Sequence, residues 1–448
     1  MTSRLLELAR GFAALTPEEV PADVRRIVRL QHLAAAGAAV AAGIAPGLPA
    51  AEHLTAARVE GDDFLAGGSS SLPLLPLLWA AAGGVSVERL ISATVVGNEL
   101  GARVGLLLSG SGKLGLRRPE PGAVAAAAGM AWLRGAGPDA LAGAIASALA
   151  NPGRLPGREA EAGDLAQLDD YAPLLGGLAP VKLSALNGLY LTRSLVVKSL
   201  TVADGLLVAL EAVDEVLRRH VRAADKWLRC DQVEKIELRM ALPAFIASGA
   251  ALDGRLDAEA VCRSLPLAVG VLLARHVLGP GELSPAALAE RADDIRHVAS
   301  KVELRHDWAL TLRAAAMVPA WNLDLAAARR RVGSLGALPL PASGDWSRLI
   351  RARPWTRLRD LLSSDPVDDQ FSGLYPVELK LYTTRGGWWP ERRETPRGTA
   401  AGGERESLAR SRFSLARGDG ARARRESAAE RLLTADGTAA EFVAELSA

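Results

Sequence analysis

Gln232–Met240 reads QVEKIELRM. Ile236, Leu238 and Met240 fall on one side of a two-residue period, and Glu237 and Arg239 on the other. That alternation predicts a β-strand with one buried face and one wet face. The pattern recurs twice further on, in Lys301–Arg305 (KVELR) and Pro376–Tyr382 (PVELKLY). Helical periodicity precedes the first of these segments, over Gly205–Arg219, and lies between the first and second, over Ala258–Val277. Strands mixed with helices in this way predict an α+β unit.

The chain before about residue 194 has a different texture. Leu5, Leu8 and Phe12 recur at helical spacing. Thr16-Pro17-Glu18-Glu19 has the form of a capping box with proline at the first helical position. Pro21 opens a further helix whose Val24, Ile27, Val28 and Leu30 share a face. Gly67–Ser71 and Ser109–Gly112 break the pattern, and the alanine-rich runs Pro121–Arg134 and Ala140–Ala150 resume it. Small residues at this density allow helices to approach closely, so the expected fold is mainly α: an all-helical domain over 1–194, then a smaller α+β domain over 195–384. Residues 385–448 carry arginines interleaved with acids and no aromatic stacking pattern. They read as a solvated helix-and-loop segment rather than a nucleic-acid patch.

The bulk numbers set limits on function. A chain of 448 residues exceeds one ordinary core. Apolar residues make up 49% and charged residues 23%, a globular composition. The 53 basic and 51 acidic groups nearly cancel, so no overall field draws a polyanion. Cys230 and Cys262 have no neighbours at metal-ligand spacing, and they fit a reduced, cytoplasmic protein. The first twenty residues, with Glu7, Glu18 and Glu19 among their apolar positions, do not read as a signal peptide. The uncharged stretches Leu33–Ala51 and Phe64–Val87 are interrupted by glycine and proline, and they read as packed helices rather than membrane spans.

Several segments, taken in order, resemble the MmgE/PrpD family. Residues 8–43 are similar to its opening helices. Gly97-Asn98-Glu99-Leu100-Gly101-Ala102-Arg103 resembles its "GYE-x-x-x-R" helix, and Glu120–Gly135 resembles its alanine-rich helix. Ser194–His220 (SLVVKSLTVADGLLVALEAVDEVLRRH) is similar to the "K-x-Y-P" segment that opens its lid domain. QVEKIELRM resembles the "V-x-x-I-x-V" strand, and Cys262–Trp308 the "S-I-P-Y-A-V-A" helix with the strand that follows. The resemblance implies a helical domain, completed by the returning C-terminal segment 385–448, beneath a smaller lid. It also implies a homodimer with an active site between the domains. The chemistry implied is lyase- or isomerase-type work on small carboxylates, such as dehydration or decarboxylation, without metal or cofactor, and without nucleic-acid or membrane partners.

Such chemistry needs cations for substrate carboxylates, a base for a proton beside one, and an acid for the leaving group. Carried over position by position, the family's "D-F-D-D-T" run falls on Glu60-Gly61-Asp62-Asp63-Phe64, which keeps Asp62 and Asp63. Its "H-P" falls within Ser69-Ser70-Ser71. The second histidine falls near Arg117, the helical-domain lysine near Tyr171 and the lid tyrosine near Leu267. The lid lysine is retained as Lys198, and the lid histidine becomes Ala203 with Asp204 beside it. The catalytic set implied is therefore Lys198, Asp62, Asp63 and Tyr171, with Arg117, Arg103, Ser69 and Ser70 as substrate contacts.

Each residue also has a plainer reading. Asp62 and Asp63 suit a loop or helix cap, Arg103 a structural ion pair, and Arg117 a solvated loop. Lys198, flanked by Val197 and Leu200, must reach water or a partner. If it belongs to a working cleft, its expected partner is Asp62, Asp63 or a bound anion, and its truncation should cost only about 0.5 kcal/mol. His32 and His53 show no obvious partner. The tryptophan-bearing stretch between Trp308 and Tyr375 is longer than the family's connection there. Two functions compete: an enzyme with altered catalytic residues, and a non-catalytic member that binds a small ligand or a protein.

Overall fold

The hydrophobic residues of the first third assemble around one helical core. The structure, a computed structural model, describes residues 2–41, 63–64, 71–108, 121–150, 190–241, 244–245, 248, 255–279, 281–317, 375–399, 403–415, 422–434 and 437–447. It is a mainly α-helical protein with a smaller β-sheet region. The first helices are α1 (Thr2–Ala13), α2 (Ala22–Ala41), α3 (Ser71–Ala80), α4 (Val87–Leu108), α5 (Pro121–Leu133) and α6 (Pro138–Ala150). Phe12, Val24, Val28, Leu74, Ile91 and Val124 are among the side chains buried between them. Thr16–Glu19 caps a short 3-10 turn rather than a long helix, with Glu19 Oε2 accepting from the Thr16 N–H at 2.8 Å. Small residues set the crossing of α4 and α5. A Cβ on Gly97 would lie 2.7 Å from the Ala125 carbonyl oxygen, and one on Gly129 3.0 Å from the Ala93 carbonyl oxygen.

A second core forms under a four-stranded sheet. The three alternating segments are strands β3 (Val233–Met240), β4 (Val302–His306) and β5 (Val377–Thr383). A fourth strand, β6 (Trp388–Arg393), gives the order β4-β3-β5-β6. β3 runs parallel to β4 and antiparallel to β5, and β5 runs antiparallel to β6. Ile236, Leu238, Met240, Leu379 and Leu381 face helices α7 (Asp204–Ala224) and α9 (Leu265–Arg275). On the opposite face Lys235 pairs with Glu303 at 2.8 Å, and Arg239 with Glu237 at 2.9 Å. That face carries the charged half of the alternation.

Two local expectations change. The helix expected over 258–277 is two, α8 (Ala258–Arg263) and α9, separated at Ser264. Ser264 Oγ accepts from the Leu267 N–H, and Pro266 sits in the first turn of α9. The acid-rich segment after it folds as α10 (Pro285–Glu290) and α11 (Ala292–Ala299), and α12 (Trp308–Met317) follows β4. The boundary drawn at 385 falls inside the β5–β6 hairpin, because Tyr382 pairs with Trp388. Residues 388–393 therefore belong to the sheet.

Helices α13 (Arg405–Leu415), α14 (Arg422–Thr434) and α15 (Ala439–Ser447) bury Ala409, Phe413, Leu432 and Phe442 in the first core. A Cβ on Gly37 would lie 2.7 Å from the Arg412 carbonyl carbon, so α2 and α13 meet backbone to backbone. Among the described residues no helix is long and apolar enough to cross a membrane.

Candidate functional site

The two cores meet along residues 190–204. Leu195 and Val197 are buried in the first core and Val196 in the second, so successive side chains of one extended segment serve both. Strand β2 (Val196–Val197) pairs antiparallel with β1 (Asp63–Phe64), setting Asp63 opposite Val197 and Phe64 opposite Val196. This pairing places the Asp63 backbone opposite the residue that precedes Lys198. On its other side Val197 donates its N–H to the Gly398 carbonyl at 3.2 Å. A Cβ at Gly398 would lie 1.7 Å from the Val197 oxygen, so only glycine fits that contact.

Lys198 leaves this segment fully buried. Its Nζ lies 2.6 Å from Asp204 Oδ1 and donates to the Val202 carbonyl at 3.0 Å. Asp204 sits in the first turn of α7, where the positive end of the helix dipole also favours a carboxylate. The counter-charge that Lys198 needs is therefore Asp204, an acid six residues away in the chain. The low cost expected for truncating Lys198 does not hold, because that figure belongs to a side chain with its head in water. Nearby, Thr201 is fully buried, and its Oγ1 has no hydrogen-bond partner among the described residues.

The turn that delivers this segment is fixed by Glu99. Its carboxylate accepts from Leu191 N at 3.0 Å, from Thr192 N and Thr192 Oγ1 at 2.7 Å each, and from Arg103 at 3.1 Å. Arg103 also lies over the Phe12 ring, 5.4 Å from its centroid, and both members of the ion pair are fully buried. Arg103 thus neutralises Glu99 inside the first core, the ion pair that its plainer reading expected.

A second buried carboxylate closes the seam. Glu211, two turns into α7, accepts from Ser199 Oγ at 2.5 Å and from the Arg397 N–H at 2.9 Å. Burial pushes its carboxyl pKa above the ordinary value, and these two hydrogen bonds oppose the shift. Arg397 turns its guanidinium to Asp214 at 2.5 Å and Glu215 at 3.3 Å. Arg405 donates to the Arg193 carbonyl at 2.7 Å, and Arg412 to the Lys198 carbonyl at 2.8 Å.

His32 has partners that the sequence did not suggest. Trp79 Nε1 donates to its Nδ1 at 2.9 Å, and its Nε2 lies 3.1 Å from Thr94 Oγ1. Thr94 donates its own proton to the Leu90 carbonyl, so Nε2 carries the ring proton. Desolvation, aided by the nearby Arg29 charge, lowers the His32 pKa to about 3. It is a neutral core histidine.

Asp62, Ser69, Ser70, Arg117 and Tyr171 lie outside the described residues, and Asp63 is placed by its backbone pairing alone. Leu267 is buried within the second core. Among the described residues no group of three His, Cys, Asp or Glu side chains is placed to hold a metal ion. Sequence reasoning missed Glu99, Glu211, Arg397 and Arg412 as parts of the seam. The sequence signal for the acids was weak: Glu99 and Glu211 lie within largely apolar helical runs, at Val95–Leu100 and Leu206–Val213. No protein-family model matches the chain, and no curated protein matches it.

Proposed function

We propose that this chain is a divergent MmgE/PrpD-type enzyme that performs lyase- or isomerase-type chemistry on a carboxylate-bearing small molecule at the seam around Lys198. The observation that carries the reading is the β1–β2 pairing. Residues 60–64 and 194–220 were singled out separately by the resemblance, and the pairing of Asp63 with Val197 makes them neighbours at the meeting of two cores. Lys198 stands beside that pairing as a buried cation whose carboxylate partner among the described residues is Asp204.

In this reading the Lys198–Asp204 pair is the resting state. A substrate carboxylate replaces Asp204 as counter-ion of the ammonium, which then stabilises the negative charge that develops when the neighbouring C–H proton leaves. Asp204, released from the ammonium, is a carboxylate able to take that proton. Asp62, Asp63 and Tyr171 complete the proposed proton-transfer set, and Arg117, Ser69 and Ser70 hold the remainder of the substrate. The architecture proposed is a helical domain beneath an α+β lid, assembled as a cytoplasmic homodimer, with the two free cysteines in keeping with a reducing compartment.

One observation favours the second reading, a non-catalytic ligand binder. Both retained cations, Lys198 and Arg103, are already neutralised by Asp204 and Glu99. A thermal-shift panel of di- and tricarboxylates separates these readings when combined with product analysis by NMR. The enzyme reading predicts that at least one carboxylate raises the melting temperature by a few degrees and is converted. Stabilisation without conversion supports the binder, and no stabilisation by any member overturns both the enzyme reading and carboxylate binding.

A further inference from the structure

Ser199 follows Lys198 directly, and its bonding does not involve the Lys198–Asp204 pair. Its Oγ donates to Glu211 Oε1 at 2.5 Å. Glu211 is fully buried, whereas Ser199 is half-buried. The other carboxylate oxygen is held by the Arg397 backbone N–H at 2.9 Å, and an Arg393 guanidinium nitrogen lies 3.7 Å from it. The Arg397 side chain is turned to Asp214 and Glu215, and its charge only partly offsets the rise that burial gives the Glu211 pKa. Arg393 keeps a buried Nε with no hydrogen-bond partner among the described residues. A hydroxyl within reach of a base, and a base oriented by a third group, is the arrangement that activates a nucleophile. Burial of Glu211 raises its proton affinity above that of an ordinary carboxylate, which makes it the stronger base when ionised.

We propose that Ser199 is a nucleophile, with Glu211 as its general base and the Arg397 amide and Arg393 holding that base in place, and that it takes an acyl group from an ester or thioester. As the bond from Ser199 Oγ to the acyl carbon forms, the hydroxyl proton passes to Glu211. The C–O or C–S bond then breaks, and the leaving group takes that proton and departs as alcohol or thiol. Water attacks the acyl-serine, its proton passes through Glu211 to Ser199 Oγ, and the acid is released. This inference is independent of the carboxylate chemistry proposed at Lys198.

The test uses the full chain and an alkyl fluorophosphonate. Ser199 Oγ bonds to phosphorus, the P–F bond breaks, fluoride leaves, and the serine proton passes to Glu211. The expected result is one phosphonyl adduct by intact mass, mapped to Ser199, absent in Ser199→Ala and formed at least about 100-fold more slowly in Glu211→Gln. A purely structural hydrogen bond would leave Ser199 unreactive. The proposal is overturned by wild-type protein with no adduct at Ser199, or by folded Glu211→Gln that reacts at the wild-type rate. If Glu211→Gln does not fold, the Ser199-mapped adduct and its loss in Ser199→Ala decide the matter. A negative carboxylate panel leaves this result untouched.

Discussion

Arg412 donates through Nε to the carbonyl oxygen of Lys198 at 2.8 Å, across 214 residues of chain. The same helix, α13, lies backbone to backbone on α2 at Gly37. The Lys198 segment is thus gripped by the C-terminal helices, by Gly398 and by the Glu99-anchored turn, while its side chain is committed to Asp204. Each of these contacts gives a measurable expectation.

Lys198→Met removes one partner of a buried ion pair and takes the donor from the Val202 carbonyl. Breaking a fully enclosed pair costs about 3–5 kcal/mol. Asp204 retains 17% side-chain exposure and can rehydrate in part, so the expected loss is roughly 2–3 kcal/mol. Urea denaturation followed by circular dichroism measures it. A change below about 0.5 kcal/mol, the cost of an exposed site, would show that the lysine is not held as described.

Glu99→Ala removes the carboxylate that pairs with Arg103 inside the core and strands the N–H groups of Leu191 and Thr192. This variant should lose more stability than Lys198→Met, because neither member of the Glu99–Arg103 pair touches solvent. Equal or smaller destabilisation in the same urea experiment would remove Glu99 as the anchor of the 191–194 turn.

How much of this was legible in the sequence depends on how local the determining contacts are. β3, β4 and β5 were visible because burying one face of a sheet imposes a two-residue period on each strand by itself. β6 was not, because WWPERR has a proline and charged neighbours. On an edge strand Pro390 is tolerated, since its missing N–H deprives no further strand. The buried acids were hidden for a different reason. Glu99 is satisfied by residues 92 and 93 positions away, and Glu211 by the Arg397 amide 186 positions away. A helical wheel cannot distinguish them from solvated charges. His32 shares the buried face of α2 with Val28, but its partners Trp79 and Thr94 come from other helices.

His32 makes a prediction about pH. The unfolded chain takes up a proton near the ordinary imidazole value of 6.5, whereas the folded ring stays neutral down to about 3. Between those values the unfolded state binds more protons, so stability falls as pH drops, by up to about 1.4 kcal/mol per pH unit from this group. NMR of the imidazole nitrogens should show His32 neutral with Nε2 protonated at pH 5. Titration of that ring near 6.5 would contradict its assignment as a core group.

The activities typical of the resembled family should be absent. The positions of the family's histidines fall on Ser69–Ser71, Arg117 and Ala203, and loss of a general base typically removes a factor of 10²–10⁴. Neither dehydration of methylcitrate nor decarboxylation of cis-aconitate should be detectable by NMR. Turnover of either at about 1 s⁻¹ or faster would mean that the proton-transfer groups have been misplaced.

The central claim is that a carboxylate ligand is received at the seam around Lys198. Hydrogen–deuterium exchange by mass spectrometry, run with and without the most stabilising carboxylate of the panel, tests it most directly. Protection should concentrate in peptides covering 190–204 and 405–415, where Lys198, Asp204 and Arg412 meet. Protection confined to the open charged face of the sheet, at 233–240 and 377–383, with the 190–204 peptides unchanged, would contradict the account.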